Sequence, residues 1–355
     1  MTHHSGQGLI MRVEVHTAAS AFQDLRAEWC QVLSQLSFQS VFFTPQWQET
    51  WWRHFGATRH LHLLTVRSSD GTLQGLAPLM RSNGTEAPPR LELIGDLELC
   101  DYLDVLMVPA QQQAVGRAIV EYLMADGGAE VALCLHNLSQ HSPTPTVFHD
   151  RLVQYGLTVE VEQIETCPTA GLPADWEAYL ASLRSKDRHE LRRKLRRAET
   201  AVHLEYRATS VAAQLDEDID TFLALHRLSQ QDAKQDFLTH EKEAFLRDIA
   251  HQFWPQGWLD LAFLSADDVP IVALWCFTYG AIYAASTSGY HPAYADLSAG
   301  IMLCAERIRQ AIARGFTAFD FLRGNESYKY RFGATDQPLY QLRARTACPI
   351  QGSRL

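Results

Sequence analysis

Apolar positions recur along the chain in two rhythms, one near the helical period and one of period two, and the rhythm changes at turn residues. Behind a short strand at Arg12 to Val15, the stretch from Ser20 to about Leu36 puts Phe22, Leu25, Trp29, Val32, Leu33 and Leu36 on one helical face. Thr44-Pro45 opens a second helix, a capping residue before a Pro in the first turn, with Trp47, Trp51 and Phe55 at helical spacing. Strand-like runs follow at His60 to Arg67, Leu73 to Met80, Arg90 to Ile94 and Tyr102 to Val108, with turns at Ser69-Asp70-Gly71 and Asn83-Gly84. A helix from about Gln111 to Met124, a strand Glu130 to Leu135, a helix Thr146 to Tyr155 and a strand Leu157 to Ile164 complete this half.

After a loop at Cys167-Pro168-Thr169-Ala170-Gly171-Leu172-Pro173, much the same order returns. A helix from Asp175 to about Thr200 leads to a strand Val202 to Arg207, then helices around Ile219 to Gln231 and His240 to Phe253. Strands follow at Trp258 to Leu264, Pro270 to Tyr279 and Ala281 to Thr287. A helix from Ser298 to Arg314 stops at Gly315, and a strand Thr317 to Phe321, a short helix Glu326 to Phe332 and a last strand near Leu339 to Arg345 close the chain. No residue-level repeat accompanies this order. The pattern predicts an α/β (α+β) protein of two domains, 11–167 and 174–348, each a mixed twisted sheet flanked by helices.

Composition narrows the function. With 355 residues, 46% hydrophobic and 20% charged, the chain can bury two cores. A formal net charge of -10 excludes a global polycation for nucleic acid and leaves room for a local basic patch. No run reaches the roughly 18 to 20 apolar residues that span a bilayer, the densest being Ile271 to Phe277, so no membrane anchor is expected. Met1 to Gly6 has neither a basic start nor an apolar core, which argues against a secretory signal, and Met11 offers a second start codon. The seven cysteines are odd in number and widely spaced, the pattern of reduced, packed thiols in a cytoplasmic protein.

The densest polar and aromatic segment is Asp320-Phe321-Leu322-Arg323-Gly324-Asn325-Glu326-Ser327-Tyr328-Lys329-Tyr330-Arg331-Phe332-Gly333, where a strand gives out into a Gly turn and a short helix. Glu326 lies three residues from Lys329 and four from Tyr330, so one helical face can carry all three. An exposed helix with one ion pair would give this pattern. So would an acyl-transfer site with Asp320 or Glu326 as base, Tyr328 as proton donor to a leaving group and Lys329 as the cation for developing negative charge.

A second asymmetry lies between Arg184 and Arg197, where eight Lys or Arg face two acids while Leu180, Leu183, Leu191 and Leu195 supply an apolar side. A solvated surface helix or a polyanion site both fit, and the ligand could be a pyrophosphate-bearing donor, a lipid-phosphate acceptor or a tRNA acceptor stem. At Ser298-Ala299-Gly300 a helix begins after a polar loop, and its free amides could hold an anion, with Ser298 either capping or touching the ligand. Gln113 to Ala118 fits Q-x-x-G-x-A in the first half, a short pattern notable only for opening a helix after a strand. His60 and His62 lack partners at ligand spacing, so they read as strand packing and no metal is expected. No nucleophile elbow, Walker motif, dinucleotide fingerprint or paired C-x-x-C occurs. Trp47, Trp51 and Trp52 read chiefly as core and surface contacts.

The stretch from Ser298-Ala299-Gly300 through Gly315, then Phe319 to Glu326 with Tyr328-Lys329 and Phe332-Gly333, resembles the carboxy-terminal signature of the CelD-like acetyltransferases. These form a GNAT-superfamily group linked to cellulose and exopolysaccharide biosynthesis. Ser185-Lys186 with Arg188, Arg192 and Arg193 resembles the basic helix of the same group. The resemblance implies tandem GNAT-like domains, as in the related Fem transferases that move amino acids from aminoacyl-tRNA onto peptidoglycan precursors. Lys329 with Phe332-Gly333 is similar to the F-K-x-x-F-G segment of the Fem proteins, with Tyr328 in place of the first Phe. Tyr328 also falls on the helix from which many GNAT enzymes supply the tyrosine that protonates the departing CoA thiolate. One departure stands out: after the strand at Ala281 to Thr287 the GNAT pyrophosphate pattern Q/R-x-x-G-x-G/A is replaced by Asp296-Leu297-Ser298-Ala299-Gly300.

The resulting expectation is an acyltransferase with its site in the second half, near the domain interface, using acetyl-CoA as co-substrate and no metal. The acceptor would be an amine or hydroxyl on a saccharide or cell-envelope precursor. Asp320 and Glu326 are the base candidates, Tyr328 the acid and Lys329 the electrostatic group. Lys186, Arg188, Arg192, Arg193, Ser298 and Gly300 would hold the donor or another phosphate. Two alternatives remain open: a Fem-type aminoacyl-tRNA-dependent transferase and a non-catalytic GNAT scaffold in polysaccharide synthesis.

Overall fold

The two rhythms resolve, in a computed structural model, into elements over residues 11–82, 90–125, 132–201, 203–229 and 238–346. The expected turn at Asn83-Gly84, the first ten residues and Cys348 lie outside the described residues. By contacts, the described chain up to Glu165 forms one unit together with the stretch from Pro338 onward, and Thr166–Gln337 forms the other.

In chain order the first unit holds β1 (Arg12–His16), α1 (Ala21–Asp24), α2 (Arg26–Gln35), α3 (Pro45–Phe55), β2 (Arg59–Arg67), β3 (Leu73–Ser82), β4 (Arg90–Leu93), β5 (Leu106–Met107), α4 (Gln112–Ala125), β6 (Ala132–Ser139), α5 (Thr144–Gln154) and β7 (Leu157–Thr166). The second holds β8 (Thr169–Gly171), α6 (Trp176–Ser182), α7 (Ser185–Ala201), β9 (Leu204–Ala208), α8 (Leu215–Leu228), α9 (His240–Phe253), β10 (Leu259–Ala266), β11 (Val269–Tyr279), β12 (Ile282–Tyr290), α10 (Ala299–Ala313), β13 (Ala318–Asp320) and α11 (Ser327–Arg331). Last comes β14 (Pro338–Thr346). The first sheet runs β1-β2-β3-β4-β6-β14-β7 with β5 attached to β3, and the second runs β8-β13-β12-β11-β10-β9. Each sheet is mixed, setting a parallel pair, β4 on β6 in the first and β12 on β13 in the second, among antiparallel neighbours.

The last strand joins the sheet of the first unit. Instead of ending the second sheet, β14 pairs antiparallel with β6, Leu342 opposite Leu135, and buries Leu339, Leu342 and Ala344. The place beside β13 goes to β8, with Thr169 opposite Asp320. Length fits the exchange: β13 has three residues and offers any partner a ladder of three positions at most, whereas the eight residues of β6 offer the nine of β14 a longer one.

Other expectations shift locally. The helix from Ser20 breaks at Leu25, and the one from Asp175 breaks between Ser182 and Ser185. The run Tyr102 to Val108 yields only Leu106–Met107 as strand, because the Asp104 carboxylate accepts from the Val105 amide, Ser142 Oγ and Thr144 Oγ1 and draws the backbone out of the ladder. Gly116 of the Q-x-x-G-x-A pattern sits inside α4, where a Cβ would lie 2.1 Å from Val147 Cγ1 of α5. That glycine serves helix packing. Trp47 and Trp51 are buried, as packing requires, and His62 is buried beside the Tyr122 ring.

In the second unit the core lies between the sheet and α10, built from Ile271, Val272, Tyr283, Met302, Leu303, Ile308 and Phe319. Helix α10 is tied down by charge as well as by apolar contact. Asp260 on β10 accepts from Arg314 Nη1 at 2.8 Å and faces the buried Arg307 at 3.5 Å. Removing one partner of such a buried set strands the other charge, so the set fixes the position of the helix. On the far side of the sheet, α8 lies so close to β12 that a Cβ on Gly289 would meet His226 N at 2.2 Å.

Candidate functional site

Strands β12 and β13 pair over three positions only, Ile282 with Ala318, Tyr283 with Phe319 and Ala284 with Asp320. β12 runs on to Tyr290 without a β13 partner, so the parallel pair opens where β13 ends. Beyond β13 the chain makes the turn that the sequence singled out. Asp320 is 2% exposed and its Oδ1 accepts the Leu322 amide at 2.8 Å. Leu322 is buried with φ +54°, the left-handed region that a side chain like leucine seldom occupies. Phe321 N and Gly324 N donate to the carbonyl oxygens of Pro168 and Thr166.

Lys329 holds this turn from inside. It is 3% exposed, and its Nζ donates to the carbonyl oxygens of Leu322 at 3.1 Å, Arg323 at 2.9 Å and Gly324 at 3.1 Å. Glu326 Oε2 lies 2.9 Å away and closes the cage, with its own side chain 59% exposed. The expected ion pair on α11 therefore forms, but on a buried lysine rather than on an exposed face. The geometry gives Lys329 a positioning task, since an ammonium has three protons to donate and three carbonyls take them. The far end of α11 is fixed as well, where the buried Tyr179 hydroxyl donates to Phe332 O at 2.8 Å.

This framework aims α11 at two cavities within the second unit. The first, of about 380 Å³, is walled by Ile271, Val272, Leu274, Leu303 and Cys304, with Ser288, Tyr290, His291, Tyr294, Ser298, Gly300 and Tyr328 supplying polar or aromatic atoms. Ser298 has φ +55° and makes no side-chain cap, and no hydrogen bond ties the amides of Ala299 and Gly300 among the described residues. Open amides at the start of a 15-residue helix favour an anion. Tyr328 stands edge-on to Phe321 and is 38% exposed. Burial of its ring, with smaller contributions from Cys304 and Glu326, raises its phenol above the ordinary tyrosine value, so the proton stays on oxygen. Burial pushes the Cys304 thiol in the same wall up to about 12, which keeps it neutral and unreactive.

The second cavity, of about 660 Å³, lies between α7 and α11, lined by Arg184, Lys186, Asp187, His189, Glu190, Arg193, Ser327 and Arg331. Of the four basic residues expected to bind phosphate, Lys186 and Arg193 face this cleft. Arg188 instead donates to Leu180 O and Ala181 O at the end of α6, and Arg192 pairs with Glu177. Both are spent on joining α7 to α6. The structure thus brings together Tyr328, Ser298 and Gly300 in one cavity and Lys186 and Arg193 in the other, while Asp320 and Lys329 lie under the turn. Sequence reading missed Tyr290, His291 and Tyr294 as lining residues, although the polar loop after an aromatic strand was the available signal. Among the described residues no group of three or more His, Cys, Asp or Glu could hold a metal, and no helix is long and apolar enough to cross a membrane.

Comparison with known proteins fits this geometry. Residues 185–330 match the family model of the acetyltransferase (GNAT) domain, a span that takes in α7, the lining of the first cavity, that of the second except Arg184 and Arg331, and α11 as far as Tyr330. No curated protein sequence matches the chain. Among solved structures, FemX is similar with a TM-score of 0.63 at 11% identity, over 93% of this chain and 96% of that one. L-PGS from Bacillus licheniformis is similar at 0.52 and 12% identity, over 84% and 90%. A tandem GNAT protein from the clavulanic acid biosynthesis pathway gives 0.53 and 12%, over 94% and 98%. At such identities the shared feature is the fold: two GNAT-like units in tandem, the second containing the acetyltransferase (GNAT) domain match.

Proposed function

We propose that the chain is an acyltransferase that binds an acyl-CoA thioester, acetyl-CoA in the first instance, in the cavity under Tyr328. The acyl group passes to an amine or hydroxyl of a saccharide or cell-envelope precursor. One observation carries this reading: the open amides that start α10 and the protonated phenol of Tyr328 border the same apolar cavity. The amides of Ala299 and Gly300, with Ser298 Oγ, suit the donor's pyrophosphate, and the apolar walls suit its pantetheine arm.

Acyl transfer from a thioester needs an oriented nucleophile, a proton acceptor for it and a proton for the departing sulfur. The acceptor's nitrogen or oxygen attacks the carbonyl carbon, the C–S bond breaks as the tetrahedral intermediate collapses, and Tyr328 hands its proton to the thiolate. Of the two base candidates, Glu326 is half-exposed and near enough to raise the Tyr328 phenol, whereas Asp320 is buried and committed to the Leu322 amide. The base role therefore goes to Glu326. Asp320 and Lys329 position the turn.

Thermal-shift titration tests the reading. A donor at a hundred times its Kd stabilises the folded state by ~2.7 kcal/mol. Stabilisation by acetyl-CoA, and release of free CoA with a saccharide amine, is the expected result. If charged tRNA binds with steep salt dependence and acyl-CoAs do not, an aminoacyl-tRNA-dependent transferase replaces this reading. If neither binds, the chain is a scaffold.

A further inference from the structure

Acyl transfer leaves one charge in this site unanswered. As the acceptor attacks, the carbonyl oxygen of the thioester becomes an oxyanion, and a donor fixed in place beforehand is what stabilises it. The sequence offered Lys329 for that role, but its Nζ donates to the carbonyl oxygens of Leu322, Arg323 and Gly324 in the turn. Its three protons are taken. Tyr328 and the start of α10 serve the thiolate and the pyrophosphate, so the oxyanion needs another group.

His291 borders the same cavity as Tyr328 and is fixed by its neighbours. It follows Tyr290, the last residue of β12, and its amide donates to Ile271 O of β11 at 2.8 Å. Its carbonyl oxygen accepts from Tyr294 N at 3.1 Å, and its ring meets the Tyr294 ring edge-on, with 5.3 Å between centroids and 84° between planes. Nδ1 accepts from the Ala293 amide at 3.3 Å. A ring nitrogen that accepts an N–H carries no proton, so the neutral imidazole keeps its one proton on Nε2. Among the described residues nothing accepts that proton. The cavity is thus bordered by an N–H donor whose tautomer is set by the turn that carries it.

Resting on the acyltransferase reading, we infer that His291 is a catalytic residue of this site, whose Nε2–H donates to the carbonyl oxygen of the acyl thioester and holds the oxyanion of the tetrahedral intermediate. The lone pair of the acceptor forms the new bond to the carbonyl carbon while the π pair of the C=O bond moves onto oxygen. Glu326 takes the proton of the acceptor. When the C=O bond re-forms, the C–S bond breaks and the sulfur takes the proton of Tyr328. His291 neither gains nor loses a proton in this sequence, so its donor is ready for each turnover. A base at Nε2 would need the opposite tautomer, which sets an Nδ1–H against the N–H of Ala293.

The test has two arms. NMR of the histidine ring nitrogens, with His291→Gln to assign the signals, reads the tautomer in protein without substrate. A protonated Nε2 and a bare Nδ1 are expected at His291, and an Nδ1–H tautomer overturns the inference. Kinetics then separates the two nitrogens, because an Asn side chain replaces Nδ1 and a Gln side chain reaches as far as Nε2. With acetyl-CoA and a saccharide amine, His291→Asn is expected to lower kcat about a hundredfold and His291→Gln less than about tenfold. The Kd for acetyl-CoA should stay within about twofold in both variants, and an unchanged Tm shows that they fold. Equal loss of kcat in the two variants would leave His291 a turn residue, and a raised Kd with kcat unchanged would give its donor to another part of acetyl-CoA. Either result overturns the inference. Failure of wild type to bind acetyl-CoA strikes the acyltransferase reading itself, and the inference falls with it even where the tautomer is as expected.

Discussion

The ammonium of Lys329 donates to the carbonyl oxygen of Leu322 at 3.1 Å, across a turn in which Leu322 holds a φ of +54°. A strained leucine is thereby kept in place by a buried charge seven residues further on. Replacing Lys329 with Met keeps the volume and removes the donor, leaving the carbonyls of Leu322, Arg323 and Gly324 without it. Each buried acceptor left unpaired costs about 1–3 kcal/mol. Lys329→Met is expected to lower Tm and turnover together, with the donor's KM changed less than kcat. A variant that keeps the wild-type Tm and loses turnover would return Lys329 to a direct catalytic role.

Much of this arrangement was legible in the sequence, and the reasons are local. The apolar periodicity of α10, the Thr44-Pro45 start of α3 and the segment from Asp320 to Gly333 are set by nearby residues, and the structure keeps them. What periodicity cannot give is partner choice between distant strands. Nothing in Leu339 to Arg345 says that it pairs with Leu135 rather than with Phe319, because alternation sets the buried face but not the neighbour. The candidate site residues follow the same rule. Tyr328 and Gly300, which border one cavity, stand out in their own segments, whereas the commitment of Arg188 to carbonyls of α6 and of Lys329 to the turn depends on contacts made only in three dimensions.

Tyr328→Phe removes one oxygen beside the edge-on ring of Phe321 and leaves the packing alone. If the phenol protonates the departing thiolate, turnover falls about a hundredfold or more while the Kd for acetyl-CoA holds. Because burial raises the phenol above its ordinary value of 10.0, wild-type turnover should show no alkaline decline from this group up to pH 10. A decline centred below that pH and abolished by Phe would mean that burial does not raise the phenol.

Gly300 borders the donor cavity, and a Cβ placed on it meets nothing within 4 Å. The fold therefore has no steric reason to require glycine there, and alanine is the better helix former by up to ~1 kcal/mol. Gly300→Ala is expected to leave Tm unchanged or slightly raised. The added methyl group would stand between the amides and an approaching pyrophosphate, so the Kd for acetyl-CoA should rise about tenfold, the equivalent of ~1.4 kcal/mol. Equal affinity in calorimetric titration would move the donor's phosphates away from the start of α10.

Asp104 in the first unit is 8% exposed and takes three hydrogen bonds, yet burial outweighs them and raises its carboxyl from 3.8 to about 6. The native state then binds this proton more tightly than the unfolded chain does. Its contribution to stability is greatest below pH 3.8 and is lost as pH rises through 6. A gap of this size is on the order of 2–3 kcal/mol. Asp104→Asn retains an oxygen for Ser142, Thr144 and the Val105 amide but carries no charge to desolvate. Urea unfolding at a series of pH values should find the Asn variant more stable than wild type at pH 8, with the difference shrinking toward zero near pH 4. A difference that does not change with pH would mean that Asp104 titrates alike in the folded and unfolded chain, and that its hydrogen bonds offset its burial in full.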